Sequence, residues 1–147
     1  MNFKLLAVIA VLASFGALVC AQEFKVETTE VDGKLVDDIN LPFVSDPAVL
    51  GEWVSVDFVK EPGQFKPGIK KYDDTLFLTG LTFNSGGRIP GLCFTWTKGA
   101  VLDDCDKTAS LYTIKEMNGA KYMFFEWKSG DYTLKHQKPE YYVLKKK

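Results

Sequence analysis

The residues able to do chemistry are few and scattered. His136 is the one histidine of the 147-residue chain, so any nucleophile that needs an imidazole base would depend on a side chain in a lysine-rich stretch. The three cysteines are Cys20, Cys93 and Cys105, and thiols this sparse, with no histidine cluster, make a poor zinc site. Asp57, Asp73, Asp74, Asp103, Asp104 and Asp131 could supply paired carboxylates. Most of them sit at turns, where aspartate bonds its own backbone, and neighbours such as Asp103 and Asp104 on a strand point to opposite faces. With no convergence of nucleophile, base and orienting group, the chain reads as non-catalytic, and no cofactor or metal is expected. The richer chemistry is apolar. Aromatic residues make up 14% of the chain, and Trp53, Phe94, Trp96, Phe125 and Trp127 fall on faces expected to point inward, as candidate ligand contacts.

The elements that must position them are strands. Asp46-Pro47 predicts an N-cap and a short helical turn that Gly51 stops. Residues 53–59 alternate as a strand, with Val54, Val56 and Phe58 on one face and Trp53, Ser55, Asp57 and Val59 on the other. Residues 60–74 hold two prolines, two glycines and four lysines and read as a long surface loop, a common place for binding function. Residues 75–83 read as a second strand. Asn84-Ser85-Gly86-Gly87 turns the chain.

Two hairpins follow. Residues 92–97 and 101–105 flank Lys98-Gly99-Ala100, and a register that opposes Cys93 to Cys105 also opposes Trp96 to Leu102 and Phe94 to Asp104. A cross-strand disulfide follows from that register, whereas a two-residue turn would offset the pair, and both stay open. Asn118-Gly119 is a two-residue turn signal. It opposes Ile114 to Met123, Tyr112 to Phe125 and Ser110 to Trp127 on the apolar face, which directs Trp127 inward and Glu126 outward. Residues 132–134 and 141–144 read as short strands, and Val31-Asp32-Gly33-Lys34 as a hairpin turn in the lead-in. With about seven to nine strands and no crossover helix, the expected fold is all-β, an antiparallel up-and-down meander closing into a small barrel.

At the N-terminus, Lys4 precedes an apolar run over residues 5–19 and the small-residue exit Val19-Cys20-Ala21. The run falls short of the roughly 20 residues of a membrane span and has the form of a signal peptide cleaved after Ala21. An uncleaved anchor is the competing reading. Cys20 resembles a lipid-attachment cysteine, but Val19 stands where that signal has a small residue. The expected organisation is a signal peptide over residues 1–21, a lead-in over 22–45 and a β-barrel-like domain over 46–147. Export places the mature chain in the periplasm or outside the cell, where the remaining pair, Cys93 and Cys105, is a candidate disulfide. Loss of Lys4 leaves 17 basic residues against 19 acids. Such a balance draws the chain to neither nucleic acid nor anionic lipid, and the membrane enters only through the signal peptide.

The short turn over residues 46–50 leading into Gly51-Glu52-Trp53 is similar to the Gly-x-Trp start of lipocalin-like (calycin-type) barrels. That resemblance implies that Trp53 closes the barrel floor and that residues 60–74 cover its mouth. The chain is shorter than a typical lipocalin and shows no counterpart of its late arginine. A resemblance over residues 42–147 rests on Pro42-Phe43-Val44, Leu50-Gly51-Glu52-Trp53, Phe94-Thr95-Trp96-Thr97-Lys98-Gly99, Asp106-Lys107-Thr108-Ala109-Ser110, residues 122–132 and Tyr141-Tyr142-Val143-Leu144. These look like an uncharacterised bacterial extracytoplasmic domain, found alone or appended to antirepressor membrane metallopeptidases of the β-lactam-sensor type. The metallopeptidase part and its His-Glu-x-x-His motif are absent, so no protease activity carries over.

Two functions fit. One is an exported binding domain holding a small apolar or aromatic ligand in the barrel. The other is a protein-interaction or sensory accessory domain whose partner is an envelope protein. The same aromatic side chains would serve a filled core or a pocket.

Overall fold

A computed structural model describes residues 25–147. The expected signal peptide and Cys20 lie outside the described residues. Among the described residues no helix is long and apolar enough to cross a membrane. Strands β1 (Thr28–Val31) and β2 (Lys34–Asp37) form a separate hairpin. Its turn is built on Asp32 and Gly33, both with positive φ, the geometry a two-residue hairpin turn demands.

The remaining strands are β3 (Gly51–Val59), β4 (Gly80–Phe83), β5 (Phe94–Thr97), β6 (Ala100–Asp103), β7 (Thr108–Met117), β8 (Ala120–Trp127) and β9 (Glu140–Lys146). They make one seven-stranded antiparallel sheet ordered β4-β3-β9-β8-β7-β6-β5. Because β3, the first of them in the chain, pairs with β9, the last, the strands follow one another round a ring. Seven antiparallel strands leave the two edges, β4 and β5, running the same way. Backbone around Arg88 fills that seam, running antiparallel to both edges through Asn84 and Thr95. The Asn84 N–H donates to the Arg88 carbonyl at 2.9 Å and the Trp96 N–H to the Gly87 carbonyl at 2.9 Å. This one-residue strand nearly closes the barrel.

Three apolar clusters hold the structure. The largest fills the inside and includes Trp53, Phe83, Trp96, Met123, Phe125 and Leu144. A second lies on the outer wall of β3, β9 and β8, where Phe65 covers Tyr122, Phe124 and Val143. Its ring sits 5.0 Å from that of Tyr122 and 5.9 Å from that of Phe124. The third lies outside β6 and β7, where Val26, Ile39 and Leu41 of the lead-in cover Ala100, Leu102 and Ala109. Coverage of the outside explains why β8 reads as almost continuously apolar instead of alternating.

Four local expectations are corrected. In β3 the pairing with β9 shifts between Ser55 and Asp57. This bulge reverses the alternation, so Trp53 and Phe58 both join the inner cluster while Val56 and Val59 join the outer one. Of residues 75–83 only Gly80–Phe83 is strand, and both Leu76 and Leu78 contact the inner core. The hairpin of β5 and β6 turns on Lys98 and Gly99, pairing Thr97 with Ala100, Trp96 with Val101 and Phe94 with Asp103. This register turns Val101 inward and Leu102 outward, yet Cys93 and Cys105 still meet as a disulfide, with Cα atoms 5.7 Å apart. Finally, Gly130–Thr133 is a helical turn, α1, capped by Ser129, instead of a strand.

The Asn118-Gly119 hairpin takes the expected register, with Tyr112 opposite Phe125 and Ile114 opposite Met123. One glycine is required by packing. A Cβ on Gly80 would collide with the carbonyl oxygen of Trp53 on the neighbouring strand.

Candidate functional site

The two ends of the barrel differ. At the end where β3 begins, Trp53 is 1% exposed and its indole N–H donates to the Val49 carbonyl at 2.8 Å. Lys146, opposite Trp53 in the β3–β9 pairing, holds its ammonium 5.5 Å from the centre of that ring. Trp96 donates to the Asn84 carbonyl at 2.9 Å and packs against Phe83 and Phe43. Tyr112 donates to Asp46 at 3.0 Å, tying the turn before β3 across this end. Burial, together with the Asp46 carboxylate, pushes the Tyr112 phenol well above its usual range. Side chains seal this end.

The opposite end, where β8 finishes and β5 begins, is open. Phe94, Phe125 and Trp127 line a cavity of about 230 Å3 with Phe77 at its rim. Phe77 is 83% exposed although its ring lies 6.1 Å from that of Trp127. Of the five aromatic residues singled out in the sequence, the structure thus brings three together here and places Trp53 and Trp96 at the sealed end. A cavity of about 470 Å3 lies on the other side of Phe77 and Trp127, bounded also by Phe58, Tyr72 and Tyr142. A larger concavity, about 650 Å3, runs along the loop after β3 among Phe58, Lys60, Lys66, Lys71, Tyr72 and Glu140. It is an open groove of mixed polar and apolar lining, and the smaller cavity at the barrel mouth combines aromatic rings with a few polar groups, the composition of a small-molecule site.

The chain over residues 60–79 divides between two tasks. Phe65 lies on the outer wall, while Leu78 reaches the mouth and its N–H donates to the Tyr142 hydroxyl oxygen at 3.2 Å. Asp57 fixes the crossing point. Its fully buried carboxylate accepts the N–H groups of Phe58, Lys71 and Tyr72 at 2.9–3.1 Å. This aspartate orders a loop, and its oxygens meet backbone donors, with no second carboxylate among these partners.

A buried polar network missed by the sequence reading borders the cavity. Asp37 of β2 accepts from the Thr28 hydroxyl (2.7 Å), the Tyr132 hydroxyl (2.8 Å), the Ala109 N–H (2.9 Å) and the Lys128 ammonium (2.8 Å). Burial alone would raise the Asp37 carboxyl pKa, but these four donors outweigh it and hold the group below its ordinary range. Glu126 points outward and is only partly covered, accepting the Leu111 N–H at 3.0 Å. Burial pushes its carboxyl above the usual range against the pull of that bond and of Lys128.

Among the described residues, Cys93, Asp103 and Cys105 gather their ligand atoms within 4.8 Å. Both sulfurs are committed to the disulfide, which leaves no thiolate for a metal. Comparison of the chain with protein-family models, with curated proteins and with solved structures finds no match.

Proposed function

We propose that this is a non-catalytic, exported binding domain that holds a small apolar or aromatic molecule in the open end of its barrel. The observation that carries the reading is the asymmetry of the interior: Trp53, Phe83 and Trp96 fill one end, while Phe94, Phe125 and Trp127 surround a cavity at the other. An engineered apolar cavity of about 150 Å3 suffices to bind benzene, so about 230 Å3 admits one substituted ring. The exposed Phe77 ring supports the reading too, because an aromatic side chain at a rim gains burial only when something occupies the mouth. The Cys93–Cys105 disulfide suits an oxidising, exported location.

Titration with 2-phenylethanol, followed through tryptophan fluorescence, tests the proposal. Saturable binding at one site, abolished by Trp127→Ala and unaffected by Phe43→Ala at the sealed end, is expected. Failure of this probe and of other single-ring compounds, neutral or charged, to bind would remove the reading.

A further inference from the structure

We propose that the molecule held in this cavity is a small aromatic amine, its ring against Phe94 and Trp127 and its protonated nitrogen received by Asp103. This deepens the binding reading above and rests on it. The first observation is the register. Phe94 opposes Asp103 across β5 and β6, and Asp103 opposes Thr108 across β6 and β7. Directly opposed side chains share a face, so Asp103 stands on the inner wall beside Phe94, two residues beyond the inward Val101. It lines the cavity, whereas its neighbour Asp104 is exposed and bonded to Lys107.

The second observation is the state of its oxygens. Asp103 Oδ1 accepts the N–H groups of Cys105 (2.9 Å) and Asp106 (3.2 Å). Among the described residues no hydrogen bond engages Oδ2 and no cation pairs with Asp103. Lys128, the cation on the cavity wall, is already bonded to Asp37 at 2.8 Å and to the Ala109 carbonyl at 2.6 Å. Asp106, also on the wall, has only a loose and exposed partner in Lys34 at 3.9 Å. The uncompensated charge of the cavity is therefore negative, which disfavours an anion and favours an ammonium.

The third observation is independent of the acids. Thr108 and Ser110 line the same cavity, are 2% and 5% exposed, and their hydroxyls engage in no hydrogen bond among the described residues. The one fully buried side-chain polar atom without a partner among the described residues is Ser55 Oγ, so these two hydroxyls keep some accessibility, on the wall of the cavity they line. Placed beside Asp103 and Val101 on the next strand, they offer lone pairs to the remaining N–H groups of an ammonium. The surrounding rings add the cation–π attraction that suits an organic cation.

Three probes that share a ring and differ in charge test this by calorimetry on the protein: 2-phenylethylamine, 2-phenylethanol and phenylacetate. The amine is expected to bind about tenfold tighter than the alcohol, the scale of one charge-assisted hydrogen bond, with phenylacetate weakest. Asp103→Asn retains the Oδ1 acceptor for the turn, and should erase the amine's advantage while leaving the alcohol's affinity in place. Asp106→Asn should leave most of the advantage intact. An amine no tighter than the alcohol, or an advantage that survives Asp103→Asn, overturns this inference and spares the binding reading. Absence of binding by all three probes overturns both.

Discussion

Replacing Lys128 by methionine keeps most of the side chain's length and deletes its charge. In the structure the Lys128 side chain is 8% exposed and its partner Asp37 is fully buried. The change leaves a buried carboxylate with three uncharged donors, deprives the Ala109 carbonyl of its 2.6 Å partner, and removes the cation 4.0 Å from Glu126. Breaking a buried pair from one side costs about 3–5 kcal/mol. For a domain of this size that corresponds to a melting temperature lower by about 10–20 °C. Thermal and urea unfolding at neutral pH measure it. The double variant Asp37→Asn/Lys128→Met should lose less than the sum of the single losses, by about 1–3 kcal/mol, since the second change relieves the orphaned charge. The acid limb should respond as well. A carboxyl whose folded pKa is depressed stabilises the fold above its unfolded value, and that stability is lost as pH falls through the folded value. Without Lys128 the folded value moves up toward the unfolded one, so less stability is left to lose on acidification, and the gap between wild type and variant should narrow as pH falls. A loss below about 1 kcal/mol, the scale of an exposed pair, would refute the claim that this contact is a sequestered clasp between hairpin and barrel.

Two further outcomes follow from the same contacts. Glu126→Gln keeps an oxygen for the Leu111 N–H while removing a carboxyl whose folded pKa is raised. The folded state retains that proton longer than the unfolded chain does, so Glu126 costs stability as pH climbs past the ordinary carboxylate range. Urea unfolding across that range should show a flatter pH profile in the variant, and an unchanged slope would contradict it. Gly80→Ala forces a methyl group onto the Trp53 carbonyl across the β3–β4 pair. It should destabilise by about 2 kcal/mol or more in denaturant titration, against the modest gain expected of an unhindered Gly→Ala change.

Much of the barrel was legible from local signals. Asn118-Gly119 set a register that the structure repeats from Tyr112–Phe125 to Met117–Ala120, because a two-residue turn leaves no freedom in pairing. The β3 bulge at Val56 was illegible: an inserted residue leaves no mark in an otherwise regular alternation, and it reversed the faces of Phe58 and Asp57. The Cys93 hairpin admitted two registers, and the one adopted is what turns Asp103 inward. The Asp37 network lay beyond reach because its partners Ala109, Lys128 and Tyr132 stand 72, 91 and 95 residues away along the chain. An aspartate ending a short, half-polar strand resembles a surface residue until the lead-in is known to cover the outer wall. The aromatic content foretold an interior, but only the register separated Trp53 and Trp96, which seal one end, from Phe94, Phe125 and Trp127, which surround the cavity.

The most direct measurement of the central claim is native mass spectrometry of the protein recovered from the cells that make it, beside the Trp127→Ala variant prepared identically. The expected result is a retained mass of one small molecule on the wild-type chain, absent from the variant. Wild-type protein that carries no adduct and takes up none of the aromatic probes when they are added would contradict it.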